Sequence, residues 1–138
     1  MRTVFTNGCF EILHAGHIAL LREAARRGHR LVVGLNSDES VLLLKGVGHP
    51  LQPVEARKFA LESIRYVDEV VVFDEMRVTR LLLELRPNVW VKGGDYTPET
   101  LNKSEVAAAK QVGAEIVIVP KVFNVHTSDI MHKLMLTV

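Results

Sequence analysis

Short β-branched apolar runs alternate along the chain with longer stretches in which apolar residues recur every three or four positions. Five runs read as strands: residues 3–6, 30–36, 69–73, 89–92 and 115–119. The stretches between them read as helices. The clearest stripe is Val78, Leu81, Leu82 and Leu85, closed by Pro87. A second is Ala56, Phe59, Ala60 and Ile64, with Pro53 suited to the first turn. Residues 17–27 carry Ile18, Leu21 and Ala25 at the same period, and Gly28 suits the position just past the helix end. Thr97-Pro98-Glu99 opens the next helix, and Thr127 or Ser128 caps the last.

Strand-helix alternation with near-continuous apolar strands predicts an α/β fold: a doubly wound parallel five-stranded sheet, Rossmann-like, with helices on both faces. Such sheets bind ligands outside the carboxyl ends of their strands, where the strand order reverses. Residues 46–52 form the longest irregular stretch expected, with two glycines and a proline, and read as a functional loop.

Composition narrows the partners. A chain of 138 residues suits one domain, residues 1–138, and its apolar share of 48% suits an ordinary globular core. The formal net charge of +1 predicts no surface for coating polyanions, so nucleic acid is not the expected partner. Cys9 is the only cysteine, which excludes an internal disulfide and suits a reducing compartment. No basic segment leads into a long apolar core at the N-terminus, and no apolar run is long enough to cross a bilayer. A cytoplasmic protein without membrane contact is the expectation.

Chemistry concentrates where the first strand gives way to a helix, in "TNGCFEILHAGHIALLREA". Gly8 and Gly16 let a ligand approach the backbone, and the helix that follows offers free N–H groups. His14 falls in the loop and His17 in the first helical turn, so both rings can face one space. A phosphate cradle fits these residues best. It is neither a P-loop nor a dinucleotide fingerprint, since both spacings are absent. Three alternatives stand beside it. Cys9, His14 and His17 offer three zinc ligands without an evident fourth. Cys9 near a helix start suits an activated nucleophile, though no separate histidine-carboxylate pair accompanies it. The two imidazoles can also simply pack and hydrogen-bond.

Other strand ends carry cations and donors: Lys45-Gly46, Arg57, Lys92-Gly93-Gly94-Asp95 and Thr127-Ser128. Each alone has a plain structural reading, such as Arg57 pairing with Glu55. Their common placement at one sheet edge favours phosphate.

"GCFEILHAGH" resembles the H-x-G-H signature of the nucleotidyltransferase superfamily that also holds the class I aminoacyl-tRNA synthetases. "LNSDESV", "LKGVGHP", "VKGGDY" and "TSDI" are together similar to the bacterial heptose-1-phosphate adenylyltransferases in single-domain form, over residues 6–130. Three positions depart from that pattern: Glu11 stands for Asp, His49 for the Arg before Pro50, and His126-Thr127-Ser128 for Ser-Thr-Thr. "ARKFALESIRYVDEV" resembles instead the glycerol-3-phosphate cytidylyltransferases, which remain the second reading.

The resemblance implies in-line attack of a sugar-phosphate oxygen on the α-phosphorus of ATP, with pyrophosphate leaving and no covalent enzyme intermediate. It implies catalytic roles for His14, His17, Lys45 and Arg57, with His17 nearest the α-phosphate. Thr6, Asn7, Gly8, Cys9, Phe10, Gly16, Thr127 and Ser128 would bind the nucleotide, and Glu11, Lys92, Gly93 and Asp95 the sugar or its phosphate. Magnesium would ride on the triphosphate, without direct protein ligands. ATP and a sugar 1-phosphate are the implied partners, in a homo-oligomer acting after a separate sugar kinase. A non-catalytic nucleotide sensor on the same fold is the alternative of another class.

Overall fold

The five apolar runs form one sheet. A computed structural model describes residues 1–137 and places the strands as β1 (Thr3–Gly8), β2 (Arg30–Asn36), β3 (Glu69–Phe73), β4 (Val89–Gly93) and β5 (Glu115–Val119). All are parallel, in the order β3-β2-β1-β4-β5. The helices are α1 (Ala15–Ala25), α2 (Asp38–Lys45), α3 (Val54–Glu62), α4 (Thr79–Leu85), α5 (Lys103–Gln111) and α6 (Thr127–Thr137). Among the described residues no helix is long and apolar enough to cross a membrane.

Strand alternation sends neighbouring side chains to opposite faces. Val4, Leu31, Val33, Val89 and Val91 pack with Leu21, Ala24 and Leu61, beneath α1 and α3. Phe5, Val32 and Trp90 pack on the other face with Leu81, Leu82, Ala108 and Ala109 of α4 and α5. Both faces are covered, which is why the strands read as continuous apolar runs.

Several elements differ from expectation. In α3 the buried face carries Arg57 and Leu61, flanked by Val54 and Ile64, while Phe59 is 73% exposed. A guanidinium on the core side hid the true stripe. Helix α2 has no apolar stripe, because Ser40 and Val41 are its buried residues; its readable signal is Ser37, whose hydroxyl accepts from the Ser40 N–H. Thr97 starts a turn closed by mutual hydrogen bonds with Thr100, and α5 begins later, capped by Asn102. Gly28 does not take the left-handed position; α1 is capped by Arg26, and a Cβ at Gly28 would lie 2.6 Å from the Arg2 carbonyl. Residues 94–102 outrun residues 46–53 as the longest irregular stretch.

The ligand crevice follows from the pairing. Strands β1 and β2 stay in register as far as Gly8 and Leu35, whereas β1 pairs with β4 only at Val4–Val89 and Phe5–Trp90. Beyond that point the sheet parts, at the reversal of strand order. Two side chains brace the split: Thr6 Oγ1 donates to the Val91 carbonyl at 2.9 Å, and the Trp90 indole donates to Asn7 Oδ1 at 3.0 Å.

Candidate active site

The two imidazoles cap the helix they introduce. Nδ1 of His14 accepts from the Gly16 N–H at 3.1 Å, and Nδ1 of His17 accepts from the His14 N–H at 3.3 Å. A ring nitrogen that accepts carries no proton, so each neutral ring holds its hydrogen on Nε2. The rings stack at 3.8 Å with 27° between planes, and Phe10 leans on His17 at 5.3 Å. Phe10 itself takes a left-handed conformation, φ 47°, rare for a bulky residue and of the kind found at functional turns. Burial, with His14 and Lys45 nearby, lowers the His17 pKa to about 4. Burial, with His126, also lowers that of His14. At neutral pH both rings are uncharged hydrogen-bond donors.

Two clefts adjoin here. The smaller, about 240 Å³, is walled by His14, Gly16, Leu20, Gly93, Gly94 and the segment after β5 from Val119 to His126. A Cβ at Gly94 would lie 3.0 Å from the Lys121 nitrogen, so glycine suits the close run of the chain after β4 against that segment. The larger, about 660 Å³, is lined by Asn7, Gly8, Cys9, Phe10, Glu11, Lys45, Arg77, Lys92, Tyr96 and Glu105, among others. His17, Asp95 and Thr127 line both.

Most of the expected residues therefore converge on the two clefts, but Arg57, Thr6 and Ser128 line neither, and Glu11 is engaged by its own partners. Arg57 is 1% exposed and donates to the carbonyls of Gln52, Cys9 and Asn36 and to Asp38 Oδ1, all within 2.9 Å. It braces three loops with four of its five N–H donors and lines neither cleft; its carboxylate partner is Asp38, not Glu55. Thr6 turns its hydroxyl into β4. Ser128 is exposed and lines neither cleft, and Thr127 is the first helical residue of α6 rather than its cap. Glu11 is 2% exposed and accepts from Lys45 Nζ at 2.7 Å, the Leu51 N–H at 2.9 Å and His49 Nδ1 at 3.0 Å. Burial alone raises its pKa, but those three partners outweigh it and hold the carboxyl below its ordinary value. Glu11 anchors the 46–53 loop from the wall of the larger cleft.

Lys45 faces the larger cleft with its charge answered by Glu11. Asp95 pairs with Lys121 at 2.5 Å, and Lys121 also meets His126 at 2.9 Å. Lys92 is 7% exposed, its ammonium 4.3 Å over the Tyr96 ring, and burial lowers its pKa. Burial raises that of the Cys9 thiol, which argues against a thiolate nucleophile. Among the described residues no three His, Cys, Asp or Glu are disposed to hold a metal ion. Arg77 was not singled out from sequence: it follows β3, carries no motif, and reaches the cleft only through the fold.

Fold and site together define a nucleotidyltransferase. The chain belongs to the cytidylyltransferase-like family, whose model matches residues 5–133. It is 45% identical over 133 residues to the bifunctional protein HldE of Pseudomonas aeruginosa, and 46% identical over 118 residues to that of Gluconobacter oxydans. These alignments take in 96% and 86% of this chain but only 28% and 24% of the relatives, so the chain spans about a quarter of their length. A lipopolysaccharide core biosynthesis protein from Thermoplasma volcanium superposes with a TM-score of 0.75 at 26% identity, covering 89% of this chain and 99% of that one. Pantothenate synthetase from Thermus thermophilus shares the fold alone, with a TM-score of 0.56 at 19% identity over 88% of this chain and 56% of its own.

Proposed function

We propose that the protein transfers the adenylyl group of ATP to a sugar 1-phosphate, a heptose 1-phosphate being the acceptor, and releases pyrophosphate and an ADP-sugar. The observation that carries this reading is His17, which stands where the smaller and larger clefts meet and carries its proton on Nε2. The nucleotide enters from the smaller cleft and runs its triphosphate past His17 along Asn7–Phe10, and the acceptor takes the rest of the larger cleft, so the reacting phosphates come together at His17. An acceptor phosphate oxygen forms a bond to the α-phosphorus while the α–β bridging bond breaks, its electron pair leaving on pyrophosphate. His17 donates to an α-phosphate oxygen as charge builds there, and His14 to the rest of the triphosphate. Magnesium, bound to the triphosphate, neutralises part of its charge; Glu11 and Asp95 are engaged by Lys45 and Lys121, which supports a cation carried by the nucleotide.

The acceptor is argued from the loops. "LKGVGHP" and "VKGGDY" lie at strand ends around the larger cleft, where binding residues concentrate on a rigid scaffold. The stretch that resembles the glycerol-3-phosphate cytidylyltransferases instead places Ile64 and Val67 against the core, so packing accounts for its similarity. The likeness to the lipopolysaccharide core biosynthesis protein of Thermoplasma volcanium also supports a sugar acceptor. The enzyme then works in the cytoplasm as a homo-oligomer, on a sugar phosphate made by a separate kinase.

A pyrophosphate-release screen of ATP and CTP against sugar 1-phosphates and glycerol 3-phosphate tests this. ATP with a heptose 1-phosphate is expected to exceed CTP with glycerol 3-phosphate by about a hundredfold in kcat/KM. The reverse order overturns the acceptor and base, and binding without pyrophosphate makes the protein a sensor.

A further inference from the structure

We propose that Arg77 and Lys92 form the subsite that grips the acceptor's phosphate in the larger cleft; this rests on the transferase reading above. The charges on the cleft walls are answered unevenly. Lys45 pairs with Glu11 and Arg57 with Asp38, whereas neither Arg77 nor Lys92 has an ion pair among the described residues. Lys92 is buried, and among the described residues its ammonium meets the rings of Tyr96 at 4.3 Å and Trp90 at 5.6 Å. Glu105 attracts it from a distance but gives Oε2 to the Val78 N–H at 2.9 Å. Arg77 lies near enough to repel it.

Glu105 attracts Lys92 more than Arg77 repels it but makes no ion pair with either among the described residues, so an anion entering the cleft finds one desolvated and one unpaired cation to bind. The size and chemistry of the cleft select that anion. The guanidinium and the ammonium hold one phosphate oxygen each, which leaves the third unbound, while Asn7, Thr100 and Asn102 line walls suited to a polyol. The class of ligand is a phosphate monoester of a polyhydroxylated carbon chain. Holding its phosphate here leaves the nucleophilic oxygen free toward His17.

Inorganic phosphate is the probe, titrated calorimetrically into the nucleotide-free protein. Arg77 is exposed, so Arg77→Gln preserves the fold, whereas Lys92→Met removes a buried group and serves as the second variant. Each is expected to weaken phosphate binding by about tenfold or more, with Arg77→Lys closer to wild type. In turnover, Arg77→Gln raises the acceptor KM by a similar factor and leaves the KM for ATP within about twofold. Equal phosphate affinity in wild type and Arg77→Gln, or phosphate competing with ATP and not with acceptor, overturns the subsite. If no acceptor yields pyrophosphate yet Arg77→Gln loses phosphate, the transferase reading falls and the subsite stands.

Discussion

Glu11 and His49 meet at the edge of the larger cleft, Oε2 lying 3.0 Å from Nδ1. Both depart from the heptose-adenylyltransferase pattern, which has aspartate and arginine at these positions. One side chain is longer by a methylene and the other shorter, so the two departures compensate across one contact. We therefore expect Glu11→Asp and His49→Arg each to destabilise the protein alone and to couple favourably together, by at least about 0.5 kcal/mol in a double-mutant cycle. Urea unfolding of the four proteins measures it, and additive effects remove the compensation. The Glu11 pKa is lower folded than unfolded, so its contribution is complete above about 4.5 and is lost as acid protonates it.

Arg57 makes a second, separate test. With four of its five donors engaged by three carbonyls and Asp38, its removal strands buried acceptors and opens a cavity. Arg57→Ala is expected to cost about 3–5 kcal/mol of stability. ATP affinity of the folded fraction should change little. A stable Arg57→Ala protein that no longer binds ATP restores the phosphate role that its sequence position suggested.

The contrast between these residues says what a sequence makes legible. Strands β2, β3 and β5 are readable to the residue because each is a short apolar run bounded by polar or turn residues, even at the sheet edges, where β3 and β5 are only partly buried. His14 and His17 are readable because a loop-to-helix junction is a local event. Arg57 is not, since its partners lie up to 48 residues away and a buried guanidinium looks on paper like an exposed one. The same holds for Glu11, whose partners come from α2 and the 46–53 loop, and for Arg77, which only the third dimension brings opposite Lys92. Phe59 misled for the converse reason: apolar character marks the core only on average.

His17 joins stability and catalysis in one ring. Its pKa is about 6.5 unfolded and about 4 folded, so between those values the unfolded chain holds more protons. Stability of the nucleotide-free protein therefore falls as pH drops through that window, and His14, shifted the same way, adds to the slope. His17→Gln keeps an acceptor for the His14 N–H and should flatten part of that limb in thermal unfolding. Catalysis draws on the other nitrogen. A neutral Nε2–H at the junction of the clefts gains most when charge develops on the α-phosphate, and loss of such a donor costs about 10²–10³ in rate. Under the proposed transfer, His17→Ala is thus expected to lower kcat by that factor while the KM for ATP moves little, because His14 and Thr127 would still hold the triphosphate. His17→Gln retains an N–H and should lose less. A folded His17→Ala enzyme with undiminished turnover would show that the ring only caps its helix.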